Sequence, residues 1–373
     1  VSFPFEALRR WPDVEAAELF ASDAADRLIL DESEVARGES APGELVVIGD
    51  DYGALTLASL AAGGSAVRVH QDPLTGERAL AANAAALGTT GSFASLPLDA
   101  TLVSAARVVL LRLPRSLDAL RDVAGLIAAY ADPAVVVFAG GRVKHMTVAM
   151  NDVLREFFGT VDVTHARQKA RVLIARSPRG GRDPQPRVAT IDGVTVCAFG
   201  GAFAGPRIDI GTRLLLDHLP SDPPGGSLSD PLIDLACGTG VIATRLALRH
   251  PDAAVYASDQ SAVAVASARA TATANGVSDR VVVARDDALA SRADGSASFV
   301  VLNPPFHSGA AVTDAIAPRL FADVARVLRP GGELWCVWNS PLNYRGALGR
   351  IVGPTRQVAR NSKFTVTVST RRP

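Results

Sequence analysis

The chain repeats its own pattern. Residues 44–60, ELVVIGDDYGALTLASL, lay over residues 231–247, PLIDLACGTGVIATRLA, and residues 66–88 lay over 254–276. An ancestral duplication is the simplest account. Each copy alternates short β-branched runs with Ala/Leu-rich stretches of helical period, the pattern of a parallel sheet covered by helices on both faces. The fold class is therefore α/β, two tandem domains. In the second copy the predicted strands are 232–235, 254–258, 281–284, 299–302 and 333–338, with helices over 240–249, 261–275 and 312–328. Residues 194–203 precede this sheet as an extended segment or hairpin.

Residues 177–187, SPRGGRDPQPR, mix Pro, Gly and charge without hydrophobic period, as an exposed linker does. The predicted domains are 1–180 and 187–373. A shorter break at 221–230 reads as a loop inside the second. A chain of 373 residues is long enough to bury two cores. No apolar run is long enough to cross a bilayer, and the residues around Phe3, Arg9 and Trp11 lack the layout of a signal peptide, so a cytoplasmic location is expected. Cys197, Cys237 and Cys336 have neither zinc-ligand spacing nor the even count of a disulfide framework; no metal is expected.

Lys plus Arg equals Asp plus Glu at 38 each, so any attraction for a polyanion must be local. Two stretches supply it. Arg167, Lys169, Arg171, Arg176, Arg179 and Arg182 fall between Asp162 and Asp183, and beyond Glu333 the chain carries Arg345, Arg350, Arg356, Arg360, Lys363, Arg371 and Arg372 with no acidic residue. Either stretch alone fits a solvated surface as well as it fits phosphate binding. Together they favour RNA.

Four elements carry chemistry. The strand-to-helix turn from Asp234 through Ala236 and Gly238 to Gly240 lets a backbone approach a ligand and presents helix N–H groups to it. Asp259 follows at the spacing that suits the two hydroxyls of a ribose, although it could equally cap the helix beginning near Ser261. Asp286 or Asp287, with Asp287 preferred, could reach an adenine amino group beside small Ala288. The fourth is Asn303-Pro304-Pro305-Phe306-His307, ending a buried strand. The prolines stop sheet pairing and leave the Asn303 side-chain oxygen and the Pro304 carbonyl as fixed acceptors for the two N–H bonds of an amino group. Such acceptors favour the pyramidal nitrogen that attacks a methyl group, with no obligatory charged base. Phe306 offers a ring for a flipped base. His307 and His218 read as structural or substrate-orienting.

At these residues the chain resembles the class I, Rossmann-like methyltransferases, and more narrowly the ribosomal RNA guanine-N2 methyltransferases. The resemblance covers nearly the whole chain. It runs through Arg207-Ile-Asp-Ile-Gly-Thr, DLACGTG, NPPFH, Gly331-Gly332-Glu333-Leu334 and Asn361-Ser-Lys-Phe. In the first half Asp50, Tyr52-Gly53-Ala54-Leu55 and the run from Thr147 through Arg155 to Lys169-Ala-Arg are closer to the large-subunit branch than to the small-subunit one. It implies two tandem Rossmann-like methyltransferase domains, the N-terminal copy a degenerate RNA-binding platform. S-adenosylmethionine is the implied cofactor, bound by Asp234, Ala236, Gly238, Gly240, Asp259 and Asp287, with Asp209 to Thr212, Gly211 and Thr212 among them, bordering the cofactor and substrate entrance. Asn303 to Phe306 are implied to hold the guanine, with Asn303, Pro304 and Phe306 catalytic and Pro305 beside them; His307 and, on their charge, Arg167, Lys169, Arg171 and Lys363 are the expected further RNA contacts. Two departures stand out: Ala236 replaces the first glycine of the turn, and Ala204-Gly205-Pro206 stands where a Ser-Arg pair is usual, with Arg207 the available substitute. Ala is small enough to leave the turn intact.

The implied reaction is methyl transfer to guanine N2 of ribosomal RNA, by a monomer with no membrane partner. Methylation of adenine N6 or of a protein glutamine amide uses a similar turn, usually with Tyr or Trp in place of Phe306. A non-catalytic RNA-binding assembly factor would describe the first half well, where Val47, Asp51, Gln71 and Arg112 stand opposite Asp234, Gly238, Asp259 and Asn303.

Overall fold

The structure, a computed structural model, describes residues 3–89, 92–305 and 310–373, without the side chains of 310–315. Phe306 and His307 lie outside the described residues. The chain divides into two compact units, Val1–Gln185 with Phe199–Gly201, and Pro186–Ala198 with Ala202–Pro373.

The first unit is built on strands β1 (Leu45–Ile48), β2 (Val67–His70), β3 (Phe93–Ser95), β4 (Val108–Arg112), β5 (Val136–Arg142), β6 (Phe158–Val163) and β7 (Ala170–Pro178). They form one sheet in the order β3-β2-β1-β4-β5-β7-β6. The first five are parallel, and β7 runs antiparallel to β5 and β6. Its helices are α1 (Ala24–Glu32), α2 (Glu34–Gly38), α3 (Ala54–Ala61), α4 (Leu74–Ala86), α5 (Ala100–Val103), α6 (Leu117–Tyr130) and α7 (Val148–Phe157). All four residues of β1 are buried, and they alternate between two cores. Leu45 and Val47 pack with Ile29, Leu55 and Leu80 on one face, Val46 and Ile48 with Leu102, Leu120 and Leu154 on the other. A strand covered on both sides reads as a continuous apolar run for this reason.

The second unit opens with a hairpin, β8 (Arg187–Ile191) and β9 (Val194–Ala198), held to its helix layer by Thr271, whose hydroxyl accepts from the Cys197 N–H at 3.0 Å. Its sheet comprises β10 (Leu232–Leu235), β11 (Val255–Asp259), β12 (Val281–Arg285), β13 (Ala297–Leu302), β14 (Leu328–Asn339), β15 (Thr355–Arg360) and β16 (Phe364–Thr370). The order is β12-β11-β10-β13-β14-β16-β15, the arrangement of the first unit repeated, again with one antiparallel strand inserted near the edge. Helices are α8 (Ile210–Leu216), α9 (Val241–Arg249), α10 (Ala262–Ala274), α11 (Ala310–Val327) and α12 (Arg345–Ile351).

Two expectations need correction, and one segment gains structure that was not assigned from the sequence. The expected linker is neither free nor wholly irregular: Ser177 and Pro178 end β7, Arg187 opens β8, and the Arg182 N–H donates to the Gly125 carbonyl of α6 at 3.1 Å. A Cβ on Gly181 would lie 1.9 Å from that carbonyl, so glycine is what lets the segment dock. The last part of the chain, read mainly for its charge, contains β15 and β16. The first cationic stretch is not unopposed, because Arg167 meets Asp31 and Glu32 at 3.3 Å each and Arg176 meets Asp162 at 2.7 Å. For Arg167 the compensation comes from carboxylates remote in sequence.

Candidate active site

The site lies at the carboxyl ends of β10, β11, β12 and β13, where parallel strands hand over to loops. After β10 the chain turns through three left-handed residues, Ala236 at φ 57°, Gly238 at φ 54° and Gly240 at φ 73°, before entering α9. The two glycines serve different needs. A Cβ on Gly240 would come within 2.8 Å of Ala268 in α10, whereas nothing lies within 4 Å of a Cβ on Gly238. Gly240 is a packing requirement and Gly238 faces open space. A left-handed alanine costs about 1 kcal/mol, so the small size of Ala236 does not by itself make the replacement of glycine free.

Asp234 sits behind the turn, fully buried, where its Oδ2 accepts from the Ala243 N–H of α9 at 2.9 Å. Its Oδ1 is buried with no partner among the described residues. Burial is the main influence on this carboxyl and pushes it up to about 7.

Asp259, at the end of β11, accepts from the Gly238 N–H on Oδ2 and from the Ser261 N–H on Oδ1, both at 3.0 Å. The cap of α10 is Ser261, whose Oγ accepts from the Ala264 N–H, so Asp259 is not the helix cap. It braces the turn from the ligand side. Of the two carboxylates after β12, Asp286 is consumed by its own loop, accepting from the Asp287 N–H and from both the N–H and Oγ of Ser291. The Asp287 side chain is largely buried and paired with Arg319 at 2.5 Å.

Asn303 directly follows β13. Its Nδ2 donates to Thr212 Oγ1 at 2.9 Å and to Asp209 Oδ2 at 3.3 Å. Its Oδ1 is buried and has no partner among the described residues. Pro304 is buried and Pro305 is exposed. Asp209 caps α8 by accepting from the Gly211 and Thr212 N–H groups at 3.0 and 3.1 Å. Gly211 packs so closely that a Cβ would lie 2.9 Å from the Phe364 ring, so its glycine answers to that ring. What results is a braced turn with open space before it, a carboxylate at each of two strand ends, and one unsatisfied carboxamide oxygen.

Family models match both halves of the chain: the RLMG N-terminal domain over residues 2–179 and the Methyltransferase small domain over residues 193–368. A protein of Streptomyces avermitilis named ribosomal RNA large subunit methyltransferase G is 36% identical over 96% of this chain and 95% of its own length. Its Pseudomonas aeruginosa counterpart is also 36% identical, over 96% of each. The chain belongs to the ribosomal RNA large subunit methyltransferase G family. It is a methyltransferase. Among solved structures, a 16S rRNA N2 guanine methyltransferase of T. thermophilus, in complex with AdoMet and guanosine, matches 94% of this chain and 92% of its own at a TM-score of 0.72 and 22% identity, which shows a shared fold.

The remaining sequence-predicted residues of this methyltransferase belong to both units. Arg167, Lys169 and Arg171 belong to the first unit, whereas Lys363 is exposed in the turn between β15 and β16 of the second. Lys169 is exposed, Arg171 is half-buried, and the Arg167 charge is offset by its acidic partners. Arg356 and Arg360 on β15 are exposed like Lys363, and none of the three forms an ion pair among the described residues. His218 bonds the Leu214 carbonyl through Nδ1 at 2.8 Å, a helix-end contact. The tie from Asn303 to Asp209 and Thr212 was missed in the sequence, although Asp209 before Gly-Thr and an apolar run is a helix-start signal. Among the described residues no group of His, Cys, Asp or Glu could hold a metal ion, and no helix is long and apolar enough to cross a membrane.

Proposed function

We propose that this enzyme transfers a methyl group from S-adenosylmethionine to the exocyclic N2 amino group of a guanine in large-subunit ribosomal RNA. The observation that carries the reading is the Asn303 carboxamide, whose nitrogen is committed to Thr212 and Asp209 while its buried oxygen has no partner among the described residues. An amino group is the natural donor to that oxygen, with the Pro304 carbonyl as second acceptor. The relatives' names and the AdoMet and guanosine bound by the T. thermophilus protein support the same reading.

The residues present fit the cofactor. Open space before Gly238 admits a ligand against the backbone, and the reading gives the Asp259 carboxylate to the ribose hydroxyls and the Asp287 carboxylate to the adenine amino group. Bound there, S-adenosylmethionine supplies an electrophilic methyl group. Asn303 and Pro304 orient the amine and favour its pyramidal form, and neither need take its proton during transfer.

In this reading residues 187–373 form the catalytic domain, and residues 1–180 form a degenerate copy that serves as RNA platform. The shared strand order supports common descent. A cytoplasmic monomer acting on ribosomal RNA completes it. Nucleoside mass spectrometry of ribosomal RNA from a deletion strain and its complemented counterpart tests the proposal: N2-methylguanosine should fall on deletion and return on complementation. Loss of N6-methyladenosine instead, or no change in any nucleoside, would contradict it.

A further inference from the structure

A carboxamide has two chemically opposite ends, and the one facing the open side of a site decides what can bind. Oxygen outward, it accepts a hydrogen bond from an amine. Nitrogen outward, it donates one and suits a carbonyl instead.

In Asn303 the orientation follows from the neighbours. Asp209 Oδ2 lies 3.3 Å from Nδ2, and a carboxylate has no proton to give. Turning the amide over would set two acceptors against each other. Thr212 Oγ1, 2.9 Å away, takes the other amide proton. Asp209 is itself held by the N–H groups of Gly211 and Thr212 at 3.0 and 3.1 Å, so the reference point does not drift. The first unit shows the contrast: Asp23, which caps α1, faces the Arg112 guanidinium at 2.9 Å, and a guanidinium has no acceptor to offer.

We propose that Asp209 and Thr212 are positioning residues that lock the Asn303 carboxamide with its nitrogen engaged and its buried oxygen left as the unpartnered end, making the site selective for an amine over a ring carbonyl. The proposal rests on reading Asn303 as the acceptor for the target amine. Neither residue touches the reacting atoms in this account; both act through Asn303.

The test is a double-mutant cycle on the full chain, using ribosomal RNA from cells lacking the gene and radiolabelled S-adenosylmethionine. Thr212→Val keeps the cap of α8, because Asp209 still accepts both backbone N–H groups, and it should lower kcat on the order of tenfold. Asp209→Ala should lower it further. On an Asn303→Ala background, adding Thr212→Val should cost less than about twofold, since a lock without its bolt has nothing to hold. A purely structural role would repeat the full loss on that background, and this result would overturn the lock, as would unchanged kcat in Thr212→Val. Should Asn303→Ala alone keep normal turnover, the reading beneath the proposal fails first, so the two failures are distinguishable. Melting temperatures of each variant show that the losses come from folded protein.

Discussion

Asn303 in the second unit holds the sheet position that Arg112 holds in the first. The registers fix the equivalence: Leu302 pairs with Leu235 as Leu111 pairs with Ile48. By the same counting Gln71 corresponds to Asp259 and Asp51 to Gly238. Gln71 Nε2 donates into the turn, to the carbonyls of Asp50 and Asp51, where Asp259 accepts from it. Arg112 is tied to Asp23 and Asp26.

One cofactor per chain is therefore expected. The first unit offers donors where a ribose needs an acceptor, and an acidic residue where the turn needs glycine. Isothermal titration with S-adenosylmethionine should give a stoichiometry of about one, and two sites of similar affinity would contradict the assignment.

The two glycines of the turn should separate when replaced. Gly238→Ala places a methyl in open space at φ 54°, so it should cost about 1 kcal/mol of stability and weaken cofactor binding at least about tenfold. Gly240→Ala drives a methyl against Ala268 and should lower the melting temperature more. Equal effects of the two on stability would show that the assigned roles are wrong.

Asp234 gives a pH dependence with a defined sign. Burial raises its carboxyl to about 7, so the folded chain holds this proton more tightly than the unfolded chain does. Its stabilising contribution is complete below about pH 4 and is lost as the pH rises through about 7. Asp234→Asn keeps the shape and removes the titration. Melting temperatures from about pH 5 to about pH 8.5 should show the variant gaining on the parent as pH rises, then levelling off. Asp26, also raised to about 7 by burial, is common to both proteins and cancels in the comparison. A difference independent of pH would contradict the claim.

RNA affinity should depend on the cations without acidic partners. Replacing Arg356, Arg360 and Lys363 by Ala should lower the slope of log K against log salt by about two units, at somewhat under one unit per lost phosphate contact. Replacing Arg167, Lys169 and Arg171 should lower it by about one, because Arg167 is offset and Arg171 half-buried. Equal slopes for both triple variants and the parent would return these residues to an ordinary solvated surface.

Much of this fold was legible because strands buried on both faces must be apolar throughout, as Leu232, Ile233, Val300, Val301 and Leu302 are. The turn and the Asn-Pro-Pro segment were legible because few other uses need those residues together. Asp209 was placed near the site only by resemblance, since a bond across 94 residues leaves no local signal. The same holds for Arg167, whose partners Asp31 and Glu32 are brought near by the fold alone. β16 carried a readable alternation, Phe364-Thr-Val-Thr-Val, that the surrounding charge concealed.

In the proposed reaction Asn303 holds the target amine in the transition state, and Asn303→Ala takes that hold away. The substitution removes one preorganised acceptor and leaves Gly238, Gly240 and Asp259 in place. Single-turnover methyl transfer to ribosomal RNA from cells lacking the gene should slow on the order of a hundredfold or more, while the dissociation constant for S-adenosylmethionine stays within about twofold of the parent. Near-normal turnover in a folded Asn303→Ala protein would contradict the account.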